Sequence, residues 1–86
     1  MRVKGVSVRV QLFAWVREAV ASGDVTLELP AGGRGTEARI ELARRYPALE
    51  GKLDGVRLAV NEVYQPWETP VRDGDTLAIV PPVSGG

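Results

Sequence analysis

Few of the residue types that carry chemistry in proteins occur in this sequence. Its 86 residues include no cysteine and no histidine, so the usual thiol nucleophile, the usual neutral-pH base and the commonest metal ligands are missing together. Serine or carboxylate catalysis needs an enclosing pocket, which so small a core scarcely provides. Glu62, Glu68, Asp73 and Asp75 cluster late in the sequence as candidate metal ligands, but they stand among turn signals and read as solvated loop carboxylates. What remains is the end, Pro81-Pro82-Val83-Ser84-Gly85-Gly86. The bland reading is a frayed terminus of small residues. The sharper reading makes the Gly86 carboxylate the reacting group. It is ionised at neutral pH, because α-carboxyl groups titrate near ~3.5. A carboxylate is a poor electrophile, so it must first be activated, and the usual biological route is adenylation by ATP on a partner enzyme. The absent β-carbons of Gly85 and Gly86 let the backbone approach another protein's active site closely. Pro81 and Pro82, with φ fixed, hold the tail extended as it leaves the domain. Six extended residues reach about 20 Å at roughly 3.3 to 3.6 Å each, enough to enter a neighbour's pocket.

A tail needs a body to present it. From Val6 to Phe13 the apolar Val6, Val8, Val10 and Leu12 alternate with Ser7, Arg9 and Gln11, the period of a strand with one face buried. Residues 14–22 then place Trp15, Val16, Ala19 and Val20 at helical spacing, closed by Ser22-Gly23-Asp24. Alternation resumes through Val25, Leu27 and Leu29 until Pro30. The main helix is expected over Thr36 to Tyr46, with Glu37 in its first turn, Arg44 and Arg45 in its last, and Tyr46-Pro47 as its stop. Its apolar face is thin: Ala38, Leu42, Ala43 and Tyr46, with Ile40 at the flank. Val56, Leu58 and Val60 form a third strand, residues 63–66 a short one, Asp73-Gly74-Asp75 a turn, and residues 76–80 the last strand. The pattern predicts an α+β domain, a single mixed sheet covered by one principal helix. The expected core is Val6, Val8, Val10, Leu12, Leu27, Leu29, Leu42, Val56, Leu58, Val60, Leu77 and Ile79.

Composition narrows the partners. Eleven basic and eleven acidic residues balance to zero net charge, which gives no electrostatic footprint for nucleic acid. The apolar runs fall far short of the roughly 20 residues that span a bilayer, and the start of the sequence has no apolar leader, so no membrane is expected and a cytoplasmic location is. Without cysteine there is neither a disulfide framework nor a thiolate zinc site, and packing alone must hold the fold.

Two other features invite functional readings. Gly33-Arg34-Gly35-Thr36-Glu37-Ala38 satisfies G-x-G-x-x-A before a helix, the spacing that presents backbone N–H groups to a dinucleotide phosphate. Pro30, Ala31 and Gly32 separate it from the strand, and the chain is too short for repeated βαβ units, so it reads as a flexible strand-to-helix connection. Trp15, on an apolar helical face, is expected in the core. Trp67, in a loop between prolines, fits core packing and a partner anchor equally.

The stretches VQLFAWVRE (10–18), RRYPAL (44–49), LAVNEVY (58–64) and TPVRDGDTLAIVPPVSGG (69–86) together resemble the family of small, sulfur-carrying subunits of molybdopterin synthase, within the ubiquitin-like β-grasp superfamily of sulfur carriers. The last stretch is the most specific. The sequence departs from the family at GGRGTEARIEL (32–42), where Gly35 and Ala38 stand in place of larger inward apolar residues. The resemblance implies a β-grasp domain over residues 1–80, with a mixed sheet of about five strands and one main helix across it, and an extended tail over 81–86. It implies that an E1-like enzyme adenylates Gly86 using ATP and that a sulfur donor converts it to a thiocarboxylate. The tail then enters the large catalytic subunit, in a heterotetramer, and delivers sulfur to a pyranopterin phosphate to build the dithiolene that later holds molybdenum or tungsten. Gly86 carries the sulfur, Gly85 gives clearance, and Pro81, Pro82, Val83 and Ser84 position the tail. This chain binds no cofactor, and the catalytic residues belong to the large subunit. A docking face is needed as well, because tail insertion must offset the ordering of flexible residues; an apolar patch of Val80, Val83 and Phe13 is expected at the tail root. Related carriers for thiamine or tRNA thiolation also end in Gly-Gly, and a ubiquitin-like modifier would use the same activated tail to acylate lysines.

Overall fold

Alternation in the sequence becomes pairing in the sheet. The computed structural model describes residues 5–82, in the order β1 (Val6–Leu12), α1 (Ala14–Val20), β2 (Asp24–Leu29), α2 (Gly35–Arg45), a 3-10 turn (Pro47–Leu49), β3 (Arg57–Val60), β4 (Val63–Gln65) and β5 (Thr76–Val80). The five strands lie in the order β2-β1-β5-β3-β4. β1 runs antiparallel to β2 and parallel to β5, and β3 runs antiparallel to both β5 and β4. This is the expected α+β arrangement of a mixed sheet under one main helix.

Register decides which side chains share a face. Val10 stands between Val25 and Leu77, Leu12 beside Ile79, and Leu58 beside Ile79 on its other side. These residues form one cluster with Val8, Leu27, Leu29, Val16, Ala38 and Leu42, completed by Leu49, Leu53, Val56 and Val71. Each fully buried aliphatic side chain contributes about 1.5 to 3 kcal/mol of transfer free energy. No polar or charged side chain is buried among the described residues. Of the expected core, Val6 and Val60 are only half-buried; Val6 opens β1 and Val60 leads into the β3–β4 turn, so fewer neighbours cover them. That turn has two residues, Asn61 and Glu62, with φ of 49° and 74°, the twist that closes a tight hairpin. Asn61 ties it to β5, donating its backbone N–H to the Thr76 carbonyl and accepting the Thr76 N–H on its side-chain oxygen, at 2.7 and 3.0 Å.

Helix α2 begins at Gly35 and ends at Arg45, one residue earlier at each end than the spacing predicts. Ala38 and Leu42 are its buried side chains, whereas Ile40 is 60% exposed. Its ends are tied as the charges suggested: the Glu37 carboxylate accepts the Arg34 N–H at 2.7 Å, and the Arg45 guanidinium donates to the Thr26 carbonyl at 2.7 Å. On its outer side Arg44 hydrogen-bonds Glu41 and holds that carboxyl below the usual glutamate range.

The departure at Gly35 has a steric cause. A β-carbon there would lie 2.5 Å from Leu58 Cδ2 and 2.8 Å from the Trp67 carbonyl oxygen. Small residues at the start of α2 therefore let it sit directly on β3 and on the 67–71 loop. The same contacts correct the reading of residues 33–36 as flexible. Gly35 donates to the Thr69 carbonyl, Thr36 to that of Trp67, and Val71 to that of Gly33, at 3.0, 2.8 and 3.0 Å. The N–H groups of Gly33, Glu37 and Ala38 are also taken, by Pro30 and Arg34 carbonyls, so the G-x-G-x-x-A segment has no open cradle for phosphate.

Trp15 is also corrected. α1 has seven residues and buries only Val16; about 100° per residue turns the neighbouring Trp15 off that face, leaving it 38% exposed. Trp67, by contrast, packs half-buried against the core, donates its indole N–H to the Val56 carbonyl at 3.2 Å, and lies under the Arg39 guanidinium at 5.0 Å. It belongs to the structure rather than to an open anchor. The late carboxylates serve turns: Asp73 accepts the Ser7 N–H at 2.7 Å, and Asp75 accepts the Arg72 N–H and the Asn61 side-chain amide at 2.8 and 3.0 Å.

Candidate functional site

A strand that must release a tail needs an open end, and the parallel β1–β5 pair supplies one. Because the two strands run the same way, they finish at the same edge of the sheet. The register that sets Leu12 beside Ile79 carries Phe13 to the level of Val80, although 67 positions separate them in the sequence. Phe13 follows β1 in extended conformation, at φ −129° and ψ 155°, and is 45% exposed. Val80 is half-buried at the last position of β5, Pro81 is buried and Pro82 exposed. The expected root patch is thus assembled at Phe13 and Val80, and the chain leaves it at Pro81 and Pro82. Val83, Ser84, Gly85 and Gly86 lie outside the described residues.

The patch continues across the face of the sheet opposite the core, which the sequence reading did not single out. Val80 pairs with Arg57, whose guanidinium carbon stands 4.2 Å from the centre of the Tyr64 ring. One step along, Gln11, Ala78, Ala59 and Tyr64 form a row across β1, β5, β3 and β4. Gln11, Asn61, Glu62, Thr76 and Ala78 line a depression beside this row. Tyr64 is 55% exposed, whereas Ala59 is covered, at 7% exposed. The signal for these residues was present as parity: in β3 and β5, Arg57, Ala59, Ala78 and Val80 alternate with Leu58, Leu77 and Ile79 of the core. Joining them into one surface required the strand order.

The electrostatics of this face are sparse. Arg9 is held by Asp24 at 2.6 Å near the β2 edge, and among the described residues the other ion pair is Arg44–Glu41 on α2. Arg57 has the tyrosine ring and no carboxylate among the described residues. The arrangement provides a mostly neutral surface with two exposed aromatics beside the point where the tail leaves. Such a face can dock; among the described residues every buried side chain is apolar, so the core there offers it no acid, base or nucleophile.

Most of the chain matches known proteins. The molybdopterin synthase sulfur carrier subunit of Arabidopsis thaliana is 41% identical over 81 residues, covering 94% of this chain and 84% of the relative. The subunit of the same name from Chlamydomonas reinhardtii is 32% identical, covering 92% and 98%. Among solved structures, small archaeal modifier protein 1 of Haloferax volcanii superposes with a TM-score of 0.86 at 25% identity, covering 92% of this chain and all of that one. The β-grasp reading of the fold therefore stands. A family model matches residues 10–86, which include Phe13, Arg57, Tyr64 and the tail, and with that match the chain belongs to the ThiS family.

Proposed function

We propose that this chain is the sulfur carrier of a molybdopterin synthase, with a free Gly86 carboxylate as its reacting group. The single observation that carries the reading is the 41% identity to a sulfur carrier subunit over 94% of the chain. The described structure is compatible with it: an interior of apolar side chains leaves the tail as the place for chemistry, and the root at Phe13 and Val80 gives a partner a surface to hold.

In the proposed cycle an E1-like enzyme joins the Gly86 carboxylate to the α-phosphate of ATP, releasing pyrophosphate and forming an acyl-adenylate. A sulfur donor then displaces AMP, and the product is a thiocarboxylate. This chain binds no cofactor of its own; ATP is the activating enzyme's substrate. The tail, extended by Pro81 and Pro82 and unobstructed at Gly85, enters the large subunit in a heterotetramer. There the thiocarboxylate sulfur bonds to a side-chain carbon of the pyranopterin precursor as that carbon's bond to oxygen breaks. Water hydrolyses the resulting thioester, so each carrier exchanges one sulfur for one oxygen and returns as the carboxylate. Bases and phosphate-binding groups come from the large subunit. The cycle runs in the cytoplasm.

The likeness to an archaeal modifier protein favours a second use of the same tail, in which the acyl-adenylate is spent on lysine amines. One comparison tests both readings. Protein ending at Gly86 is set against a form lacking Gly86 and a form with one residue appended. All three should melt alike, and only the first should form adenylate, accept sulfur and yield dithiolene product with the large subunit and precursor. An extended, unprocessed form that still accepts sulfur would overturn the proposal. Sulfur appearing only in tRNA or thiamine thiazole would leave a general carrier, and acylated lysines without sulfur transfer would leave the modifier.

A further inference from the structure

The outer face is neutral and apolar around the tail root except at one point. Arg57 opens β3 directly beside Val80, and its guanidinium carbon stands 4.2 Å from the centre of the Tyr64 ring. A guanidinium held against a ring face keeps N–H donors that can bind a carboxylate through two parallel hydrogen bonds. The described residues place no carboxylate against it: the ion pairs there use Arg9 and Arg44. Glu62 sits in the turn at the other end of the β3–β4 hairpin, beyond Val60, which is itself three residues from Arg57 and about 10 Å along the strand at ~3.3 Å per residue.

We propose that Arg57, held by Tyr64 beside the tail root, is the point at which the outer face recognises an acidic side chain of the protein that receives the tail. The neighbours argue for a protein occupant. Phe13, 45% exposed, and the half-buried Val80 beside it are apolar, so a partner that covers them removes water from around the guanidinium. An unpaired charge in that position would weaken binding, while a carboxylate set against it is strengthened by the same exclusion of water. A small free anion is a poorer match, because the site is an open face with nothing to enclose it. Arginine and tyrosine are also the side chains that most often anchor protein interfaces. The inference rests on the carrier reading for the identity of the partner, the large synthase subunit, and adds to it the residue that sets register and selectivity.

The test uses full-length protein ending at Gly86 and the large subunit from the same organism, with affinity measured by calorimetry at low and moderate salt. Arg57→Gln should weaken the complex at least tenfold and flatten its salt dependence. Arg57→Lys should fall between it and the wild type, since it keeps the charge but loses the planar fork. Arg57→Glu should bind more weakly than either, and one Asp→Lys or Glu→Lys change on the large subunit should restore it. Melting temperatures close to the wild type confirm that the variants report on docking. Wild-type affinity in Arg57→Glu, with sulfur still delivered, would defeat this inference and leave the carrier reading intact. Failure of every charge reversal to restore Arg57→Glu would also defeat it. A wild-type chain that does not bind the large subunit at all would defeat the carrier reading first and this inference with it.

Discussion

The two faces of the sheet are built from the same strands and differ in almost everything else. Along β5, Leu77 and Ile79 are buried at 0% and 1% exposure, while Thr76, Ala78 and Val80 between and beside them remain half-open. Along β3, Leu58 points into the core and Arg57 out of it. A period of two thus divides one segment between two tasks. Inner positions are fixed by close packing against α2 and the loops, so their substitution is paid in stability. Outer positions touch little within the chain, and their substitution should be felt when something docks. Within residues 5–82 the inner face thus holds the platform, and the outer face is left to contact other molecules.

The largest effect that tests this division is on the inner face. Leu58 is 1% exposed, sits between Ile79 and Gln65 in register, and touches the start of α2 at Gly35. Leu58→Ala should lower unfolding stability by about 2 to 5 kcal/mol, measured by urea titration. That is a large share of what a domain of this size has. A loss below about 1 kcal/mol would mean that the inner face is not packed as described.

A smaller effect of contested sign sits at Gly35. Its φ is not in the left-handed region, so a Gly→Ala change inside a helix would ordinarily gain about 1 kcal/mol. Against that, the new β-carbon meets Leu58 Cδ2 at 2.5 Å and the Trp67 carbonyl oxygen at 2.8 Å. The leucine tip can rotate away, but the Trp67 carbonyl is engaged by the Thr36 N–H and hydroxyl. Overpacking of this kind costs typically about 1 to 3 kcal/mol, so after the helical gain of about 1 kcal/mol Gly35→Ala should destabilise by about 0 to 2 kcal/mol. A variant more stable than the wild type would show that α2 stands further from the sheet.

How much of this was legible follows the same line between periodic and aperiodic chain. Ten residues of the expected core, from Val8 to Ile79, are buried because periodicity reports the inward side directly, although Val56 lies just before β3. Leu49, Leu53 and Val71 are buried too, yet they lie in a 3-10 turn and in loops, where no period marks them. Trp15 was misplaced because a helix of seven residues has room for little more than one inward position, which Val16 takes. The tightness around Gly33 and Gly35 was invisible because it depends on carbonyls some 35 residues away, at Trp67 and Thr69. At the site, Phe13 and Val80 were named in advance through the family resemblance. Arg57 and Tyr64 were not, since their meeting depends on the β3–β4 register and their nearness to the tail on the order of β5 and β3.

The smallest expected change in stability is the most discriminating. Phe13 is large and apolar, so hydrophobicity alone reads it as core, whereas its parity is opposite to that of Val10 and Leu12 and turns it to the other face. The structure follows parity: Leu12 is 2% exposed and Phe13 45%. Its backbone, not its ring, carries the local structure, because the Phe13 carbonyl accepts the N–H groups of Val16 and Arg17 at the start of α1. Phe13→Ser keeps that carbonyl and places at the N-cap a side chain that itself favours helix starts, offsetting part of the lost apolar contact. Unfolding stability should therefore change by no more than about 0.5 kcal/mol. Affinity for the large subunit should fall about tenfold or more, as expected when an aromatic anchor is removed from an interface. Both quantities are measured on one preparation, by urea titration and calorimetry, so their ratio is the readout. A loss of several kcal/mol in folding would assign Phe13 to the core and erase the contrast between the faces. Unchanged affinity with unchanged stability would keep the contrast but move the docking surface away from the tail root.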